Sequence, residues 1–144
     1  MALFLPDGYD VPDEDCIYRQ IEQSSECIEL SEDVMDLCRR HGMEERKSFA
    51  AALATEEMCK NILCHGFKPK KKNLISARIL IDQENRIRIS IRDDCKPFSP
   101  VEWNQIHNND EDKTSNIGIR MIAAMADEMR YVNVLDMNSL YITI

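Results

Sequence analysis

Long apolar runs are missing from this 144-residue chain. None approaches the roughly 20 residues that a membrane-spanning helix needs, so the sequence predicts no direct membrane segment. The apolar run at 2–5 is too short for the core of a signal peptide, and Pro6 and Asp7 follow it at once. We therefore infer no secretion and expect a cytoplasmic protein.

Cysteine pairs with the spacing C-x-x-C are also missing, although cysteine itself is present. The six cysteines are Cys16, Cys27, Cys38, Cys59, Cys64 and Cys95. Three disulfides or a metal site are the alternatives to free thiols. Cys59 and Cys64 are five residues apart on a predicted helix, which points them in different directions. We expect reduced, mostly buried thiols in a cytosolic protein.

An excess of basic charge is missing as well. The formal net charge is -8, and residues 1–33 carry ten acidic residues against Arg19, which makes -9 there and leaves +1 for the rest. Proteins that bind DNA or RNA present a basic surface, so we predict no nucleic-acid partner. A nearly neutral core can still bind an anionic ligand through backbone amides and a few cations.

The composition that is present is typical of one soluble globular domain, with 44% hydrophobic and 31% charged residues. We interpret residues 1–14 as an acidic arm or linker and residues 15–144 as the domain. Hydrophobic periodicity predicts strands at 16–21, 74–81, 86–92, 129–134 and 140–144. It predicts helices at 24–42, 44–65 and 119–126, with a long irregular connection at 101–114.

The second predicted helix carries three polar side chains four residues apart, Glu57, Asn61 and His65. That spacing places them on one face of a helix whose adjoining faces are apolar. Burying an acid and an amide is costly unless a hydrated metal ion or a nucleotide pairs with them. The alternative interpretation is an ordinary solvated helix end that stops at Gly66.

Two further blocks follow in the chain, the strand end from Asp93 to Pro100 and the loop and helix from Asn116 to Met121. In order, the sequence contains EExxxNxxxHG, DDxxPFxP, a glycine before an apolar helix, and DExxYxN. This combination resembles the GHKL superfamily of ATP-binding domains, and within it the bacterial anti-sigma-factor serine/threonine kinases. The resemblance covers about residues 16–144.

The resemblance implies a Bergerat-type ATP-binding fold. This is an α/β (α+β) two-layer sandwich, with a mixed, mostly antiparallel sheet and helices on one face. The strand at 86–92 alternates strictly between isoleucine and polar residues, so we expect the face of Ile87, Ile89 and Ile91 to meet the helices.

The resemblance also implies roles for the polar residues. Glu57 corresponds to the general base that orients or deprotonates the attacking group, and Asn61 to the ligand of a Mg²⁺ ion that bridges the phosphates. Asp93 corresponds to the acceptor of the adenine amino group, which selects adenine over guanine. The phosphates of ATP or ADP bind backbone amides at the helix start near Gly118. The other residues placed at the nucleotide are Lys96, Phe98, Thr114, Asn116 and Ile119, with Lys113 and Arg120 as nearby cations.

The chain departs from the family at three positions. Cys95 and Pro97 stand where the family usually has, or often has, glycine, so the floor of the pocket is expected to be altered. Asn116 fills an earlier glycine position of the last block. Asparagine is the least penalised replacement where φ is positive.

Two functions remain open from the sequence. The first is an ATP-dependent switch kinase that transfers the γ-phosphoryl group to a serine or threonine of a partner, such as a sigma factor or an anti-anti-sigma-like substrate. The second is a catalytically weak nucleotide-sensing module that regulates a partner or a fused protein, a membrane protein included. A homodimer is possible in either case. A scaffold that has lost its ligand is less consistent with the joint presence of Glu57, Asn61 and Asp93.

Overall fold

The computed structural model of the chain describes residues 15–66 and 73–144. The acidic arm expected at 1–14 lies outside the described residues. The strands are β1 Cys16–Gln20, β2 Ile75–Ile81, β3 Ile87–Asp93, β4 Glu128–Val134 and β5 Met137–Thr143. The helices are α1 Ser24–Arg40, α2 Glu45–Asn61, α3 Pro100–His107 and α4 Ile117–Met125, and a π-helical turn at Ile62–Gly66 continues α2.

The five strands form one open sheet in the order β1-β2-β3-β5-β4. Each of its four strand pairings is antiparallel. The predicted α/β sandwich with a mostly antiparallel sheet is therefore confirmed. The described strands contain no parallel pair, so the sheet is not mixed, because every neighbouring pair runs in opposite directions.

One face of the sheet is apolar and meets the helices, as expected. Ile87, Ile89 and Ile91 are buried on β3 and belong to the same core cluster as Leu30 and Leu37 of α1. The intervening positions of the strand are Arg88, Ser90 and Arg92, which lie on the opposite face. Strict alternation gives each strand one dry face, which the helices then cover.

The first two helices form an αα-hairpin. The Glu26 carboxylate accepts hydrogen bonds from the backbone amides of Glu22 and Gln23, at 3.0 and 2.9 Å, which satisfies donors at the start of α1. The buried positions of α1 recur every three or four residues: Cys27, Leu30, Val34, Leu37 and Cys38. This stripe packs α1 against α2 and the sheet.

The expectation of an irregular connection at 101–114 is wrong in its first half, where α3 forms. Ser99 caps this helix by accepting a hydrogen bond from the Glu102 amide at 3.2 Å, and Pro100 occupies the first turn. The Trp103 ring stacks on His107 with 4.6 Å between centroids. The cap and the stacked pair stabilise a helix too short for its periodicity to be detected.

As expected, none of the six cysteines forms a disulfide. Four of them are buried, and Cys64 is exposed. No group of three or more metal-ligating side chains occurs in the described part of the chain. Within residues 15–66 and 73–144, no helix combines the length and apolar character needed to span a bilayer.

Helices α2 and α4 approach each other closely at Gly118. A Cβ atom added to Gly118 would lie 2.7 Å from the Ala54 backbone nitrogen and 2.7 Å from the Leu53 carbonyl carbon. Real Cβ atoms do not approach backbone this closely, so the absence of a side chain permits the contact. The first turn of α4 is thereby placed against the middle of α2.

We predict that Gly118→Ala lowers the free energy of unfolding by about 1–3 kcal/mol, because the methyl group forces the two helix backbones apart. The intrinsic helix preference of alanine offsets only part of this loss. Urea unfolding measures the change, and the amide NMR shifts of Leu53 and Ala54 should move. Gly42→Ala is the control, since that Cβ meets nothing within 4 Å and the only cost is its positive φ of 67°. Equal stability of Gly118→Ala and the wild type would contradict the prediction.

Candidate functional site

The C-terminal half of α2 lies beside the start of α4, and Glu57 joins the two. Its Oε2 atom accepts hydrogen bonds from the backbone amides of Gly118 at 2.9 Å and Ile119 at 3.2 Å. Both amides belong to the first turn of α4, where unpaired amides and the helix dipole favour an anion. The sequence predicted that this helix start binds phosphate, and in the structure the Glu57 carboxylate takes two of its amides.

The environment of Glu57 disfavours its charge. Burial raises the pKa of Glu57 above its ordinary value, and the two amide hydrogen bonds offset this only in part. A carboxyl group with a raised pKa is a better proton acceptor than an ordinary solvated one. The site therefore contains a half-buried acid that is suited to proton transfer.

Asn61 also reaches the start of α4. Its Nδ2 atom donates to Oδ1 of Asn116 at 3.4 Å. Asn116 precedes α4 in a left-handed conformation with φ of 49° and ψ of 49°, which asparagine tolerates better than most residues. The expectation that asparagine replaces glycine at a positive φ is confirmed.

Asp93 ends β3 and is buried on the helix side of the sheet. Its Oδ1 atom accepts hydrogen bonds from Nδ2 of Asn138 at 2.8 Å and from the Cys95 amide at 3.0 Å. Asn138 also donates to the Cys95 carbonyl at 2.9 Å. Its side-chain oxygen in turn accepts a hydrogen bond from Asn133. A hydrogen bond from the Cys95 side chain also lowers the pKa of this carboxyl group.

Burial is also the main influence on the pKa of Asp93. It raises the pKa of the carboxyl group above its ordinary value, while the Asn138 hydrogen bond lowers it. The pKa of the Cys59 thiol on α2 is raised mainly by its hydrogen bond with Cys27 and by burial. The negative charge of Asp93 raises this pKa further. Asp93 thus lies near the C-terminal half of α2. No hydrogen bond between described residues joins it directly to Glu57 or Asn61.

Sequence reasoning missed Asn138, which is 1% exposed and central to this network. Asn138 is the register partner of both Asp93 on β3 and Asn133 on β4. The motif DExxYxN contains Asn133, but nothing in it signals that Asn138 lies between Asn133 and Asp93. A buried asparagine opposite the strand-end aspartate becomes visible only once the strand register is known.

The chain accommodates Cys95 through a glycine on the facing segment. The Cys95 side chain is buried, and a Cβ added to Gly66 would lie 3.2 Å from the Cys95 Cβ. The Lys96 amide donates to the Gly66 carbonyl at 2.8 Å, which holds the two segments together. The absence of a side chain at Gly66 therefore leaves space for the buried Cys95 side chain.

Phe98 packs against the core, and its amide donates to the Tyr131 hydroxyl at 3.1 Å. Burial raises the pKa of Tyr131 above its ordinary value. Tyr131 is the tyrosine of the DExxYxN motif, so the structure gives that motif a role in holding the strand end that follows Asp93.

The structure does not bring every predicted residue to this cluster. Lys96, Lys113 and Thr114 are exposed, and no described contact joins them to Glu57, Asn61 or Asp93. The Thr114 hydroxyl and amide both donate to Asp112, at 2.7 and 3.0 Å. Their predicted contacts with the nucleotide remain predictions.

Arg120 binds the segment between α3 and α4. Its guanidinium donates to the carbonyl oxygens of Ser115 at 3.0 Å and His107 at 3.1 Å and lies 4.9 Å from the Trp103 ring centroid. This arrangement makes Arg120 a clamp on the loop, and Trp103 a local packing anchor.

His65 does not continue the polar stripe of α2. The chain widens into a π-helical turn at Ile62–Gly66, which shifts His65 away from the four-residue repeat and leaves it exposed. The stripe that the structure retains consists of Glu57 and Asn61.

The candidate site consists of an acid and an amide on α2, the start of a helix beside them and a buried aspartate on β3. A comparison of sequences agrees with this arrangement. The sequence profile of the histidine kinase-like ATPase domain matches residues 24–144. The chain belongs to this family. The broader GHKL assignment is therefore confirmed, whereas the anti-sigma-factor kinase subtype stays a prediction.

The histidine kinase-like ATPase domain is also similar in fold to a solved structure. This is the histidine kinase domain from the Erythrobacter litoralis EL346 blue-light activated histidine kinase, with a TM-score of 0.53 and 14% sequence identity. The match covers 84% of this chain and 59% of that one, so the chain spans less than two thirds of the matched chain. No curated protein matches the chain significantly.

The residues of this histidine kinase-like ATPase domain fit a magnesium nucleotide at two points. Asn61 uses its amide nitrogen for Asn116, which leaves its Oδ1 atom as a hard oxygen ligand for a largely hydrated Mg²⁺ ion. The oriented carboxylate of Asp93 is an acceptor that suits an exocyclic amino group. Phosphate binding at the start of α4 requires the Glu57 carboxylate to move, since a phosphate on the Gly118 and Ile119 amides would displace it.

We predict that Glu57→Gln stabilises the domain at neutral pH by an amount on the order of 1 kcal/mol. Glutamine keeps an oxygen for the two α4 amides but carries no buried charge. Because the folded-state pKa of Glu57 is raised, its contribution to stability is fully present below its ordinary value and is lost as pH rises through the raised value. The melting temperature of the variant should therefore exceed that of the wild type at pH 7, and the difference should shrink towards pH 4. A difference independent of pH would contradict this.

We predict that Asn138→Ala lowers the free energy of unfolding by about 1–3 kcal/mol at pH 7, since it removes a donor from buried Asp93. That hydrogen bond lowers the pKa of Asp93, which burial nevertheless raises above its ordinary value. Its loss therefore matters while Asp93 is ionised and diminishes as pH falls through the raised folded-state pKa. Urea unfolding at pH 7 and pH 3.5 measures the change. Asn133→Ala is the control because Asn133 contacts Asn138 and not Asp93. Identical losses at both pH values would show that Asn138 acts only through packing.

Proposed function

We propose that this histidine kinase-like ATPase domain binds ATP and ADP with Mg²⁺ and works as a cytoplasmic regulatory switch kinase. In this proposal it transfers the γ-phosphoryl group of ATP to a serine or threonine of a protein partner, as anti-sigma-factor kinases do. A sigma factor or an anti-anti-sigma-like protein is the proposed class of partner. The added charge would change the affinity of the partner for its own target.

The observation that supports nucleotide binding is the environment of the Asp93 carboxylate. This carboxylate is buried at the end of β3, and the Asn138 amide and the Cys95 backbone amide hold it in one orientation through Oδ1. A buried carboxylate in a fixed orientation is a strong acceptor for an amino group of a ligand. Adenine carries such a donor, whereas guanine carries a carbonyl at the same ring position.

The proposed reaction assigns one task to each residue of α2. Asn61 would hold Mg²⁺, whose charge neutralises the phosphate oxygens. A hydroxyl oxygen of the partner forms a bond to the γ-phosphorus while the bond from that phosphorus to the β-γ bridging oxygen breaks, and ADP leaves. The hydroxyl proton passes to Glu57, whose raised pKa suits a general base. Binding of phosphate to the α4 amides would release Glu57 for this task.

A second function is favoured by the contact that Glu57 makes in this structure. Its carboxylate is bound to Gly118 and Ile119, so it is engaged by the domain itself and not directed at a substrate. A domain that keeps this contact would bind nucleotide without efficient transfer. It would then act as a nucleotide-sensing module that regulates a partner or a fused domain.

The test of nucleotide binding is calorimetric titration of ATP and ADP, with and without Mg²⁺. We predict saturable binding to the wild type and binding about 10- to 100-fold weaker to Asp93→Asn, which corresponds to one charge-assisted hydrogen bond. Asp36→Asn is the matched control, since Asp36 is exposed on α1 and bonds to Arg40. Absence of binding in all three proteins would reject the proposal.

Measuring phosphate transfer and ATP turnover distinguishes the two candidate functions. Magnesium-dependent phosphorylation of a co-expressed partner that disappears in Glu57→Gln, while ATP binding persists, supports the kinase. Saturable ATP binding with no phosphate transfer or release in the wild type, unchanged by Glu57→Gln, supports the sensing module.

A further inference from the structure

Helix α4 is apolar on the side that faces away from α2 as well as on the side that packs against it. Its buried positions are Gly118, Ile119 and Ile122. The opposite side carries Ile117, Met121 and Ala124 at helical spacing, and Ile117 is 44% exposed. A surface helix normally presents polar side chains on its outer side. An apolar outer side is typical of a surface that another molecule covers.

A cavity of about 420 Å³ adjoins the outer side of α4. Met121 and Ala124 form part of its apolar floor, and its cations are Arg46 of α2, Lys113 and Arg120. No acidic residue belongs to the lining that the described residues form. Ligand-binding cavities have volumes of roughly 300–1,000 Å³ and combine an apolar surface with a few polar groups. The cavity is therefore suited to an occupant with apolar groups and negative charge.

The positive charge of this cavity is incompletely compensated. Within residues 15–66 and 73–144, no ion pair or side-chain hydrogen bond involves Arg46 or Lys113, and both side chains are exposed. The Nη2 atom of Arg120 is excluded from water and has no hydrogen-bond partner among the described residues. Oδ2 of Asp110 lies 3.7 Å from it. A carboxylate that enters the cavity would add compensating charge.

Two acids of the neighbouring loop bind to their own segment. Oδ2 of Asp110 lies 2.9 Å from Nδ1 of His107. Oδ1 of Asp112 accepts hydrogen bonds from the hydroxyl and the amide of Thr114, at 2.7 and 3.0 Å. These carboxylates offset part of the charge of Arg120. They leave Arg46 and Lys113 to an external anion.

We propose that this surface binds an acidic segment of a protein partner that contains both carboxylate and aliphatic side chains. The carboxylates pair with Arg46 and Lys113, and the aliphatic side chains pack on Met121 and Ala124. Protein interfaces commonly combine an apolar centre with a charged rim of complementary sign. The inference rests on the proposed function in one respect, since the partner is the protein that the ATPase domain regulates.

The dimensions and position of the surface suit such a segment. From Ile117 to Ala124 the helix rises about 10 Å, which about three residues of an extended chain cover. Ile117 directly precedes Gly118, the residue at the candidate phosphate site. Glu57 and Asp93 do not line the cavity. The partner is therefore bound beside the candidate nucleotide site and not in it.

Fluorescence titration of the full chain with a designed peptide tests the proposal. The peptide consists of glutamate and leucine, and its control has lysine in place of each glutamate. Trp103 is the only tryptophan of the chain, and its ring centroid lies 4.9 Å from the guanidinium of Arg120. Its emission therefore reports binding at the cavity. We predict saturable binding of the acidic peptide only, and weaker binding in 1 M salt.

Two substitutions locate the binding surface. Arg46→Gln should weaken binding of the acidic peptide about fivefold, because one exposed charge pair is lost. Lys47→Gln is the matched control, since it removes the same charge from α2 but Lys47 does not line the cavity. Ala124→Glu places a carboxylate on the apolar floor and should weaken binding at least about tenfold. Arg46 and Ala124 are exposed, so both variants should fold.

Failure of the wild type to bind the acidic peptide would overturn the proposal, and so would equal losses in Arg46→Gln and Lys47→Gln. Sedimentation tests a second copy as the occupant. A wild-type dimer that dissociates in Ala124→Glu would mean that a second copy covers this surface, which also overturns the proposal. The titrations contain no nucleotide. A failure of peptide binding is therefore distinguished from a failure of ATP binding, which calorimetry measures separately.

Discussion

The close approach of α4 to α2 is the contact on which the candidate site depends. Gly118 allows the two backbones to come within a distance that no side chain would permit. As a result the first amides of α4 reach the Glu57 carboxylate, and Asn116 reaches Asn61. A glycine assigned from sequence to phosphate binding thus also builds the frame that brings an acid, an amide and a helix start together.

The second half of the site depends on strand register. Asp93 and Asn138 are partners across β3 and β5, and the Asn138 amide bridges the aspartate and the Cys95 carbonyl. These hydrogen bonds offset part of the cost of burying Asp93 and fix the orientation of its carboxylate. Both carboxylates of the site have raised pKa values, because burial disfavours their charge.

Much of the architecture could be predicted because it follows from local patterns. The strict alternation at Ile87, Ile89 and Ile91 identified a strand with one dry face, and periodicity located α1, α2 and α4. Helix α3 was not predicted because eight residues show too little periodicity. Its stability comes from the Ser99 cap and from the stacking of Trp103 on His107. The exposed position of His65 was not predicted either, since a π-helical turn interrupts the four-residue spacing from which its position was inferred.

The sequence by itself determined the fold class and the family, and it led to the prediction of Glu57, Asn61 and Asp93 as site residues, because these inferences depend on residue type and on spacing along one element. Only the tertiary structure decided that Glu57 binds the α4 amides, that Asn138 orients Asp93 and that Gly66 makes room for Cys95. Each of these contacts joins residues far apart in the chain, and their distances follow from helix packing and strand register. Neither quantity is encoded in a local pattern.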